Sequence, residues 1–67
     1  MGARILDARI VHWKRAGLYS VEIDLPHTKF TIDSENYTKK SSAKRAAGSL
    51  GKRMLWLLRW REDKEVD

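Results

Sequence analysis

The chain has 67 residues, with 14 lysines and arginines against nine acidic side chains, a formal net charge of +5 and no cysteine. A chain this short is one domain that removes only about 60% of its unfolded surface from water, so a second copy or a partner is expected to add stability. The lack of cysteine excludes a disulfide framework or thiolate zinc site, and no apolar run nears the roughly 18 residues that span a bilayer; with charges at Arg4, Asp7 and Arg9 where a signal peptide would be apolar, a cytoplasmic chain without a membrane partner is expected.

Ile5 to Trp13 carries β-branched residues at Ile5, Ile10 and Val11 and reads as a strand. Lys14-Arg15-Ala16-Gly17 interrupts it with a glycine suited to a hairpin turn. Leu18 to Leu25 then alternates, with Tyr19, Val21, Ile23 and Leu25 on one face and Ser20, Glu22 and Asp24 on the other, which predicts a half-buried strand. Pro26-His27-Thr28 punctuates again, and Lys29 to Asp33 alternates about Phe30 and Ile32 as a third short strand beside the second. The three form an antiparallel meander.

Asp33 to Lys40 is polar and turn-like. Beyond it, Ala43, Ala46, Ala47, Leu50 and Met54 recur at three- and four-residue steps, the spacing of a helix laid on a sheet, with Ser41 as the expected N-cap. At about 100° per residue, Lys44, Arg45, Lys52 and Arg53 point away from that stripe. Gly48 and Gly51 imply either close approach of another backbone or a helix end near Gly51. From Met54 to Arg61 a continued helix would set Arg61 in the apolar stripe; a strand places Met54, Trp56, Leu58 and Trp60 on one side and Arg59 and Arg61 on the other, and a fourth strand is the preferred reading. Residues 62–67 read as a charged, frayed tail. The expected fold of residues 1–61 is thus α+β, a three- or four-stranded antiparallel sheet covered on one face by a single helix.

Charge is concentrated along the chain. Residues 1–33 have a net charge of +1, residues 34–61 of +7 and residues 62–67 of −3. A basic block of this kind suits contact with a polyanion, and a solvated helix face has the same composition. Lys39, Lys40, Lys44 and Arg45 crowd the first turns of the helix, where the dipole is already positive. A phosphate there would meet backbone N–H groups, these cations and the Ser41 and Ser42 hydroxyls together. Lys39, Lys40, Ser41, Lys44, Arg45, Lys52 and Arg53, with Lys14 and Arg15 from the first turn, are the candidate nucleic-acid contacts. Two tryptophans and three leucines between Leu55 and Trp60 exceed what one helix and a small sheet cover, which predicts self-association or partner contact through Trp56, Leu58 and Trp60.

No catalytic constellation is visible, and no cofactor is implied. His12 and His27 have no cysteine and no acidic residue at metal-ligand spacing, and Gly48 and Gly51 do not precede the helix as a phosphate loop requires.

The run Ser34-Glu35, Tyr37-Thr38, Lys40, Ser42-Ala43 and Ser49 resembles the signature of the YegP-like small repeat domain, a β-meander followed by a helix. The resemblance spans roughly Leu18 to Arg53 and implies that fold; that family commonly carries its unit as a tandem pair, which implies pairing of a single unit with itself. Leu25-Pro26-His27-Thr28 stands where that family has an Asn-Gly type turn. Trp13-Lys14-Arg15-Ala16-Gly17-Leu18-Tyr19, with Tyr37-Thr38-Lys39-Lys40 before an alanine-rich helix, is similar to the three-stranded arm-binding domains of tyrosine integrases and to plant ethylene-response-type domains. This implies a sheet laid on DNA by Arg9, Lys14, Arg15 and Glu22. Thr38 to Ala47 also looks like the lysine-rich start of the last helix of double-stranded-RNA-binding domains. The combined expectation is a non-enzymatic, homodimeric nucleic-acid-binding module, with duplex DNA before RNA. The alternative is a protein-interaction module, such as a small phage-type protein docking on a host enzyme through Trp56, Leu58 and Trp60.

Overall fold

In a computed structural model of the chain, residues 4–25, 31–33 and 35–67 are described, 31–33 by their backbone alone. The elements are β1 (Arg4–Trp13), β2 (Leu18–Asp24), β3 (Thr31–Asp33), α1 (Lys40–Met54), β4 (Trp56–Trp60) and β5 (Lys64–Val66). The expected meander starts as its residues dictate. At the first turn Gly17 has φ +67, a left-handed conformation that costs glycine nothing in Cβ sterics, and its N–H returns to the Trp13 carbonyl at 2.8 Å. β2 therefore runs antiparallel to β1 with Ile10 opposite Val21, and β3 returns beside β2 with Ile32 opposite Ile23. The expected second turn at Pro26-His27-Thr28, and the beginning of the expected third strand, lie outside the described residues.

The chain is α+β, with one helix on the sheet, and the fourth strand is present. The sheet is mixed rather than antiparallel throughout. α1 carries the chain from the end of β3 back across the sheet, so β4 sets out in the direction of β1 and pairs with it in parallel, Ile5 opposite Leu57. A crossover helix is what a parallel pair needs, whereas the antiparallel pair makes do with a tight turn. The expectation of a frayed 62–67 is also corrected. After a break at residues 61–63 the chain rejoins the same side of β1 as β5, with Val11 opposite Lys64 and Trp13 opposite Val66. β1 is thus central, flanked by β2 on one side and by β4 then β5 on the other.

α1 begins two residues earlier than expected. Lys39, extended at φ −126 and ψ 139, is the N-cap, and no side chain caps the first turn, so Ser41 lies inside the helix as an exposed residue. The helix passes Gly51 and ends where Leu55 takes φ 58. Gly51 is a close-approach glycine: a Cβ there would stand 3.3 Å from the Trp56 carbonyl oxygen and 3.4 Å from Leu58. Ala43 and Ala47 are the buried side chains of α1, so small residues hold the helix close over Leu6, Ala8, Ile10, Val21 and Ile23. Tyr19, Tyr37, Leu50, Trp56, Leu58 and Trp60 rim that core. On the opposite face Ser20 is 4% exposed, not solvated as its alternation implied, because Val11 lies beside it and the Trp13 indole N–H donates to its hydroxyl at 2.9 Å.

Two glycine substitutions should act in opposite directions. Gly48 has open space about the position of a Cβ, so Gly48→Ala should stabilise by roughly 0.5–1 kcal/mol through helix propensity. Gly17→Ala should cost about 1–2 kcal/mol, because the left-handed conformation persists. Urea midpoints moving the other way in either variant would contradict these backbone assignments.

Candidate nucleic-acid interface

The helical spacing that buries Ala43 and Ala47 sets Ser41, Arg45, Gly48, Ser49 and Lys52 along the outer side of α1, all exposed. Lys39 precedes this crest and Arg53 follows Lys52, also exposed. Among the described residues, none of Lys39, Arg45, Lys52 and Arg53 enters an ion pair. No acidic residue occupies the first turn of the helix, and none occurs between Asn36 and Arg61. The crest therefore combines unneutralised cations with little side-chain bulk.

The other expected cations are placed differently. Lys40 is paired with Asp63, and Lys14 with Glu65 at 2.9 Å. Lys44 lies on the flank of α1 with its Nζ 5.2 Å from the centre of the Trp60 ring, a cation–π contact. Arg15 is exposed in the first turn. Asp63 and Glu65 were missed as site residues because a frayed tail has no fixed partners. The signal for them was the −3 charge of residues 62–67 beside so basic a body.

The sheet face away from α1 is internally neutralised. Arg9 donates to Asp24 at 2.9 and 3.2 Å and to Glu22 at 3.4 Å, and Lys64 lies 3.5 Å from the second Glu22 oxygen. Arg59 donates to Asp7 at 2.7 Å. The hydrogen bond from Arg59 holds the Asp7 carboxyl below its ordinary 3.8, and that from Lys14 lowers Glu65 likewise. Each carboxylate is therefore favoured in the folded chain above its ordinary range, and the contribution fades as the pH falls through the lowered value. Both carboxylates are open to solvent, so these pairs are weak contributors. The sheet-on-DNA arrangement implied by the integrase-like resemblance would need Arg9 and Glu22 free; here they bind each other.

Trp56, Leu58 and Trp60, the expected contact residues, are only partly exposed. They lie on the helix side of β4, half-buried against the core, while the exposed large apolar residues nearby are Ile5, Met54, Leu55 and Leu57. Two-residue periodicity in β4 put Leu57 on the polar side with Arg59, and that was the legible signal. His12 stacks on Tyr19, ring centroids 4.6 Å apart, and among the described residues no three His, Cys, Asp or Glu side chains form a metal-binding group. No helix of the described residues is long and apolar enough to cross a membrane. No protein-family model, curated protein or solved structure matches the chain.

Proposed function

We propose that this chain is a non-enzymatic nucleic-acid-binding module whose contact surface is the outer side of α1. The observation that carries this reading is a bias in charge pairing: acidic side chains hold Arg9, Lys14, Arg59 and Lys64 of the sheet and its edge, and Lys40 at the helix start, while Lys39, Arg45, Lys52 and Arg53 along α1 enter no ion pair among the described residues. Lys39 and Arg45 near the positive end of the helix dipole are unfavourable for folding alone, whereas Lys52 and Arg53 stand in the last turn, where the dipole favours cations. A phosphate backbone would offset that cost.

Duplex DNA is the preferred ligand. Its major groove, about 12 Å wide, admits an α-helix, and the low bulk at Ser41, Gly48 and Ser49 lets this backbone approach closely. The A-form RNA major groove is too deep and narrow for that. Base-specific contact is not required by the reading; phosphate contact is.

For about four phosphates, log K should fall against log salt with a slope of about −3 to −4, a loss of roughly a hundredfold between 50 and 200 mM salt. Replacing Lys39, Arg45, Lys52 and Arg53 together with Gln should flatten the slope and weaken all sequences alike. Replacing the ion-paired Lys14 and Lys40 should change it much less. Fluorescence anisotropy on a mixed-sequence duplex reads both. Equal low-salt affinity of the fourfold variant and the parent would refute the assignment and leave α1 as a solvated face. Trp56, Leu58 and Trp60 are half-buried against the core, so the host-protein alternative would rest on the part of each that stays exposed.

A further inference from the structure

β4 is the outermost strand on its side of the sheet, and no described element pairs with its outer edge. Two hydrogen bonds fix how its backbone points: Arg4 N–H donates to the Leu55 carbonyl at 3.3 Å, and Arg61 N–H donates to the Ala8 carbonyl at 2.8 Å. Alternation between these ends turns Leu57 and Arg59 inward to β1, and turns the N–H and C=O groups of Trp56, Leu58 and Trp60 outward. Neither proline nor lysine occurs within Trp56–Trp60 to blunt this edge. Beside it, on the face away from α1, Ile5 and Leu57 lie directly opposite each other in register, 63% and 58% exposed.

We propose that a second copy of this chain adds to β4 as an antiparallel strand, with the two-fold axis at Leu57. In that register Trp56 and Leu58 of one copy exchange backbone hydrogen bonds with Leu58 and Trp56 of the other. Leu57 meets Leu57 at a non-hydrogen-bonded position, where cross-strand side chains are closest. The open face then carries one apolar row, Ile5, Leu57, Leu57, Ile5, where each copy alone exposes half of it. A shift of the axis to Leu58 also satisfies the backbone but sets each Leu57 against Arg59, so the apolar row selects the first register.

Charge at this edge does not oppose a like partner, although each copy is basic overall. The one charged side chain of β4, Arg59, is already held by Asp7, so the two edges meet without an unpaired charge. The helices do not obstruct the approach. α1 lies over β1 and touches β2 and β4 on either side. In the paired sheet the two β1 strands are three strand spacings apart, about 14 Å, which exceeds the 8–10 Å of packed helices. Both helices then stand on the same side of one continuous sheet. The contact is small against the roughly 1,200 Å² of a standard interface, so the association is weak, in the micromolar range. An extended peptide from another protein would leave the isolated chain monomeric, which the experiment reads.

Sedimentation of nuclease-treated protein at about 200 μM should show a dimer. Leu57→Lys, at an exposed position, should keep the circular dichroism of the parent and sediment as a monomer. Because the chain has no cysteine, an introduced thiol reports on geometry alone. On oxidation, Leu57→Cys should cross-link into a dimer, while Arg59→Cys, whose counterpart is about four residues out of register or roughly 13 Å away, should not. A monomeric parent, a dimeric Leu57→Lys, failure of Leu57→Cys to cross-link, or equal cross-linking by Arg59→Cys would overturn the proposal. The cysteine pair decides it even if Leu57→Lys folds poorly. Nucleic acid is absent throughout, so the result stands apart from the function proposed above.

Discussion

Ile10→Ala should cost about 2–5 kcal/mol, the range for truncating a buried isoleucine, and leave the chain mostly unfolded at moderate urea. Ile10 is 1% exposed at the middle of the central strand, paired with Val21 and in the cluster that α1 covers with Ala43 and Ala47. Collapse around the void is obstructed because alanines already hold the helix close to the sheet. A 67-residue chain has a total stability of only about 3–10 kcal/mol at the usual value per residue. One such void therefore consumes much of the margin. Urea denaturation followed by circular dichroism reads the effect. A loss below about 1 kcal/mol would mean that Ile10 is not central to the core.

Deleting residues 62–67 should cost about 2–4 kcal/mol, summing lost edge hydrogen bonds of roughly 0.5–1.5 kcal/mol each and uncovered apolar surface. A frayed tail would predict no loss. β5 pairs with Val11 to Trp13, the Val66 carbonyl accepts from Lys14 N–H at 2.8 Å, and Lys64 stands opposite Val11, which is fully buried. The deletion also frees Lys14 and Lys40 from Glu65 and Asp63. The truncated chain should therefore be less stable and yet bind duplex DNA more tightly at low salt, if the phosphate-contact reading holds. An unchanged denaturation midpoint would show that β5 does not hold the sheet edge.

Much of the candidate surface was legible in the residues. Arg45, Lys52 and Arg53 were assigned to the exposed side of α1 because the alanine stripe alone sets the helix's orientation, and they are exposed there. Lys14 and Lys40 could not be separated from them. Their partners, Glu65 and Asp63, are 51 and 23 residues away in the chain, and only the docking of β5 beside β1 brings them near.

Local periodicity specified the elements. The alternation through Val21 and Ile23, the glycine at the first turn and the three- and four-residue spacing from Ala43 to Met54 each act within a few residues. Side-chain direction repeats every two residues in a strand and every 3.6 in a helix whatever lies elsewhere. The direction of β4, the recruitment of the acidic tail as β5, the burial of Ser20 and the inward placing of Trp56, Leu58 and Trp60 come from where α1 delivers the chain. Those features rest on pairings across tens of residues, and no local pattern contains their geometry: an edge strand reads alike whether parallel or antiparallel, and a charged tail reads alike whether solvated or paired.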